Sequence, residues 1–92
     1  MYYNNRIRVV DAAGKHGIDP DDATYVAEHC LDIRVLCEEP YKELRLGVTS
    51  TGMPLEIVLV PAWDGDGWVI IHAMKMRLKY RMMLNRRALW LR

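Results

Sequence analysis

The 92-residue chain predicts an α+β fold: a small antiparallel sheet of three or four strands, helices N-terminal to it, and a basic C-terminal helix. Three observations carry this expectation. A capped, amphipathic helical segment precedes residue 32. Period-two segments separated by turn residues fill 33–73. The stretch from Lys75 to Arg92 contains neither Gly nor Pro and few β-branched residues. At roughly 100–150 residues per domain, the length allows one unit spanning 1–92.

Arg6-Ile7-Arg8-Val9-Val10 alternates polar and β-branched residues, as a short strand does. Asp11 can open a brief helical turn through Lys15, and Gly17 stands where a helix end favours positive φ. Asp19-Pro20-Asp21-Asp22 is a helix start, with a capping carboxylate, Pro at the first position and acids at the positive end of the dipole. Helical spacing then places Ala23, Val26, Ala27, Cys30 and Leu31 on one face. Ile33–Cys37 reads as a strand ended by Glu38-Glu39-Pro40, and 42–49 alternates with Leu44, Leu46 and Val48 on one side. Ser50–Pro54 is turn chemistry. The mostly apolar run Leu55–Val60 suits a central strand covered on both faces. Asp64-Gly65-Asp66-Gly67 then turns the chain into a last strand, Trp68–Ala73.

Composition narrows the function classes. Half the residues (51%) are hydrophobic and 27% are charged, which suits a folded core rather than disorder. No apolar run approaches the ~18 residues of a membrane span. The segment Met1–Arg6 lacks the features of a secretory leader, and two unpaired cysteines fit a reducing compartment, so a cytoplasmic protein is expected. All twelve acidic residues lie at or before Asp66, where they outnumber six basic ones for a net of −6. The remaining 26 residues carry seven bases and no acid. Such asymmetry points to a polyanion or an acidic partner meeting the C-terminal element.

No metal site and no cofactor are expected. His16, His29, Cys30, Cys37 and His72 lack paired ligand spacing, and no Gly-rich loop precedes a Lys-Ser or Lys-Thr pair. What remains is His72 leaving a strand, followed by Lys75, Arg77, Lys79, Tyr80 and Arg81 on a helix that also carries Arg86. Cations bind phosphates, Tyr stacks on bases, and ionisable groups can move the proton of a 2′-hydroxyl, so this set suits RNA. Two apolar stripes run along the same helix. Leu78, Met82 and Leu89 form one, and Tyr80, Met83, Leu84 and Leu91 with Trp90 form the other. A helix lying on one sheet buries a single stripe, so a partner chain or a homodimer mate is a candidate cover for the second. One broad core face holding Tyr80 and the methionines is the structural alternative.

The order of motifs resembles the BrnT-like branch of the RelE/ParE toxin superfamily. The matching segments are Lys15-His16-Gly17-Ile18, Asp22-Ala23, Leu46 to Gly52, Leu55 to Val60 and Ile70-Ile71-His72-Ala73, colinear over about residues 6–82. The resemblance implies a RelE-like fold and the toxin of a type II toxin–antitoxin system. It implies a metal-independent endoribonuclease acting on mRNA, on the ribosome or free, and a cognate antitoxin, often of ribbon-helix-helix type. It adds Lys15 and His16 to the RNA-facing set. Catalysis is then expected from His72, Arg77, Lys79 and Tyr80, and RNA binding from Lys75, Arg81, Lys15, His16 and Arg86. The family pattern has Arg after the strand's Ala, and this chain has Met74, with Lys75 and Arg77 nearby. Two other readings stay open: a non-catalytic toxin-fold module that binds antitoxin or nucleic acid, and a ParE-like gyrase inhibitor.

Overall fold

A computed structural model describes the backbone of residues 6–90 and the side chains of residues 6–85. Arg86 and the stripe positions Leu89, Trp90 and Leu91 therefore lie outside the described side chains. Along the chain come β1 (Ile7–Val9), a 3₁₀ helix (Asp11–His16), α1 (Pro20–Glu28), β2 (Asp32–Glu38), β3 (Tyr41–Val48), β4 (Pro54–Pro61), β5 (Trp68–Lys75) and α2 (Leu78–Trp90). The strands form one five-stranded sheet in the order β1-β5-β4-β3-β2. No described helix is long and apolar enough to cross a membrane.

The α+β class is as expected, but the sheet is mixed and larger than the predicted antiparallel set of three or four strands. The meander β2–β5 is antiparallel, while β1 runs parallel to β5, with Ile7 opposite Trp68 and Val9 opposite Ile70. Alternation shows that a segment is extended and says nothing of its partner some sixty residues away. The partner is chosen by the β4–β5 loop. The Trp68 N–H donates to Arg6 O at 2.9 Å, Arg8 pairs with Asp64 at 2.8 Å, and Arg6 pairs with Asp66 at 2.9 Å. Two acids that look like turn residues are thereby tied to the first strand.

Local chemistry explains the helix starts. Asp19 Oδ1 accepts from the Asp21 N–H at 2.7 Å, and Gly17 closes the 3₁₀ helix with φ of 77°. Ala23, Val26 and Ala27 are buried as their spacing requires. The helix stops sooner than expected, at Glu28, so Cys30 and Leu31 do not continue its apolar face. At Leu31 the N–H already donates to Leu46 O, at 2.7 Å, so the chain there belongs to the sheet. Gly47 lets this exit pass close over β3: a Cβ there would lie 3.1 Å from Val26 Cγ1 and 3.2 Å from Cys30 Cα.

Each side of the sheet has its own core. Under α1 lie Leu55, Ile57, Leu59, Ile70 and Ala73. On the opposite side Leu44, Leu46 and Met76 pack with Val58, Tyr80 and Leu84 beneath α2. β4 contributes to both, which is why its sequence is apolar at nearly every position. Glu56 is the exception within it.

Candidate functional site

A β-bulge decides where His72 goes. Val69 opposes Val60 and Ile70 opposes Leu59, but His72 opposes Val58, so Ile71 is an extra residue on β5. Continued without it, the register would set His72 opposite Ile57, on the α1 side. With it, Ala73 takes that place in the core and His72 lies on the α2 side, diagonal to Glu56. The same bulge accounts for Ile70 and Ala73 sharing a core at odd spacing.

Glu56 is the centre of the arrangement and was absent from the sequence-predicted set. It is only 1% exposed, and its carboxylate accepts the Arg77 backbone N–H at 3.0 Å and the guanidinium at 3.0–3.2 Å. The His72 Nε2 lies 3.7 Å from Glu56 Oε1. Arg77 immediately precedes α2, so the carboxylate of a neighbouring strand caps that helix. This explains why the helix begins at Leu78 and not at Lys75. The clue in the sequence is a lone acid in an apolar strand: a buried carboxylate needs a cationic or N–H partner. Glu56→Gln keeps the shape but weakens the charge-assisted bonds to Arg77. It should cost about 1–2 kcal/mol, read as a lower urea midpoint with unchanged slope.

The 3₁₀ helix lies against β5 where β1 has ended, and it brings the histidines together. The His16 and His72 rings meet edge to face with centroids 5.3 Å apart. The His72 side chain keeps 28% of its surface exposed. Burial lowers its pKa below the ordinary imidazole value; Glu56 opposes this, and the charges of His16, Lys15 and Arg77 reinforce it. His72 is therefore biased to the neutral form that can accept a proton. The Glu56 carboxylate raises the Arg77 guanidinium further, which keeps it charged.

Tyr80 extends the patch. Its ring packs with Leu44, Leu46 and Met76, while Arg77 lies 5.3 Å and the Lys79 ammonium 4.9 Å from its centroid. The structure thus brings His72 and Arg77 to Glu56, His16 and Lys15 to His72, and Tyr80 with Lys79 to Arg77. It does not gather the rest. Lys75 lies on β5 and not on a helix. It opposes Leu55, a residue of the α1-side core, so it leaves the sheet on the other side from His72. Arg81 lines a cavity of about 300 Å³ with Leu31, Gly47, Met76 and Leu84, apart from the histidines. The Arg86 side chain lies outside those described.

The charge asymmetry looks different in three dimensions. Arg6, Arg8, Arg34 and Arg45 each pair with an acid close by, whereas Lys15, Lys79 and Arg81 have no carboxylate within ion-pair distance among the described residues. Cys30 and Cys37 are free thiols, and burial pushes Cys30 upward, away from the thiolate. Chemically, the patch offers a half-buried imidazole biased to its neutral form beside a second imidazole, a fixed guanidinium, an ammonium and an aromatic ring. Comparison with known proteins adds no kinship: no family model, no curated protein and no solved structure matches the chain.

Proposed function

We propose that the chain is a toxin-like, metal-independent endoribonuclease whose site is the patch around Glu56. The observation that supports this best is an exposed imidazole set against a half-buried one, beside a guanidinium locked to a buried carboxylate. In the reaction, neutral His72 takes the proton of a 2′-hydroxyl as that oxygen attacks the adjacent phosphorus. Protonated His16 gives its proton to the departing 5′-oxygen, so the products are a 2′,3′-cyclic phosphate and a 5′-hydroxyl. Arg77 faces the charge that grows on the phosphoryl oxygens, with Lys15 and Lys79 at either side. Tyr80 offers a stacking edge for a base.

The motif resemblance to BrnT-like toxins supports the same reading and gives Met74 a physical context. Met74 opposes Glu56 directly across the β4–β5 pair. The guanidinium that the family pattern carries at that position is supplied here from Arg77, three residues on. An antitoxin of ribbon-helix-helix type is the partner this reading requires. Leu78 and Met82, the outward stripe of α2, remain exposed for one.

Incubating the purified protein with a mixed-sequence RNA in EDTA should yield fragments with cyclic phosphate ends. Arg77→Ala should slow this by about 10²-fold, the size expected for losing one transition-state donor. Arg81→Ala, away from the histidines, should change it by less than about 3-fold on the same scale. Intact RNA with the wild-type protein, or cleavage indifferent to Arg77, overturns the proposal. Salt-sensitive retention of RNA without cutting would favour the binding-module reading, which the exposed Leu78–Met82 stripe also suits.

A further inference from the structure

The edges of the sheet are unequal. β1 has three residues and the 3₁₀ helix follows along β5 beyond it, whereas β2 offers seven residues with no strand on its outer side among the described residues. Leu31, Ile33 and Val35 remain 60%, 51% and 53% exposed, an unusual load of apolar surface for an open edge. Ile33 and Val35 oppose Arg45 and Glu43, and Arg45 reaches Ala27 O at the end of α1, so these two lie on the α1 side. Asp32 and Arg34 oppose Leu46 and Leu44, on the α2 side, and pair with each other at 3.1 Å. The irregularity in β2 falls beyond Val35, leaving residues 32–35 regular; Leu31 precedes the strand and lines the cavity beneath α2.

The start of the strand is self-complementary. Reversed about Ile33, the order acid, apolar, base becomes base, apolar, acid. A two-fold axis through Ile33 therefore sets Asp32 against the partner's Arg34 and Arg34 against the partner's Asp32. The two Ile33 side chains meet at the axis. Displacing the copies by two residues removes both opposite-charge pairs and puts Arg34 against Arg34. An isologous interface demands this kind of self-matching, which a surface shaped for an unrelated strand has no reason to show. We propose that β2 pairs antiparallel with β2 of a second copy, joining two sheets into one of ten strands, in the register centred on Ile33. This surface is separate from the patch around Glu56 and from the outer face of α2.

The test is sedimentation of the full chain over a range of concentrations. The wild type should pass from 10.7 kDa to twice that mass as concentration rises. Asp32→Arg alone sets like charges opposite one another and should leave only monomer, and Arg34→Asp alone should do the same. Mixing the two single variants should restore a dimer between them, as should the doubly exchanged chain with itself. The Arg34 side chain is half exposed but that of Asp32 only 12%, so an unchanged far-UV dichroism spectrum is required of each variant, and Arg34→Asp decides the outcome if Asp32→Arg unfolds. A wild type that stays at 10.7 kDa at every concentration overturns the proposal and leaves the edge to a strand from another protein. A dimer that persists in both single variants overturns the register.

Discussion

On the proposed endoribonuclease reading, His72→Asn should lower RNA cleavage by about 10²–10⁴-fold, the contribution of a positioned general base, while the protein remains folded. Asn keeps a polar group near Glu56 but cannot take up a proton from an attacking hydroxyl. The charged and titratable neighbours of His72 are Glu56 from β4, Lys15 and His16 from the 3₁₀ helix, and Arg77 ahead of α2. Burial and the three basic neighbours outweigh the carboxylate, so the folded pKa lies below the ordinary imidazole value of about 6.5. Cleavage should therefore rise with pH along an acid limb whose midpoint lies below 6.5, and His72→Asn should abolish that limb. Stability should follow the same sign. Between the depressed folded value and 6.5 the unfolded chain binds more protons, so this contribution is present above 6.5 and is lost as pH falls. A wild-type acid limb centred above 6.5, or one that survives His72→Asn, would assign proton acceptance to another group.

What the sequence disclosed and what it hid divide along physical lines. The cap at Asp19, the αL glycine at 17, the Asp64–Gly67 turn and the meander strands were legible because each depends on residues within a few positions of one another. The pairing of β1 with β5 was not. It depends on Arg6 and Arg8 finding Asp66 and Asp64 across the chain, and periodicity carries no such information. The bulge at Ile71 was hidden for a related reason: consecutive apolar residues look the same whether or not one of them is extra to the ladder. That single residue puts His72 on the α2 side of the sheet and, with it, Lys75 on the α1 side. Lys75, expected on the helix, is instead the last residue of β5, because α2 starts only at Leu78. Glu56 draws Arg77 toward the histidines, while Arg81 lines the cavity near Leu31. Glu56 itself was visible as the one acid in an apolar strand. What could not be read was which cation would answer it, since that depends on where α2 starts.

Gly67→Ala should be the most damaging single-atom change in the described fold. Gly67 has φ of 84°, and a Cβ built there would fall within 1.9 Å of the Arg6 carbonyl oxygen. That contact is with backbone, so no rotamer change relieves it, and the left-handed conformation alone costs Ala about 1–2 kcal/mol. The Arg6 carbonyl would have to withdraw, which takes with it the bond from the Trp68 N–H, worth about 1 kcal/mol net, and loosens the Arg6–Asp66 and Arg8–Asp64 pairs. A loss of roughly 3 kcal/mol is expected, which in a domain of this size lowers Tm by about 12–24 °C. The damage should also reach the site. β1 leads directly into the 3₁₀ helix, and the Val10 N–H bonds to Ile70 O at 3.2 Å, so the strand holds His16 against His72 through a short, continuous stretch of chain. Thermal denaturation and the imidazole resonances of His16 and His72 should therefore change together in Gly67→Ala. A variant that melts like the wild type would mean that β1 is not held against Gly67. One that melts early with the histidine pair undisturbed would mean that the 3₁₀ helix is placed by α1 and β5 alone.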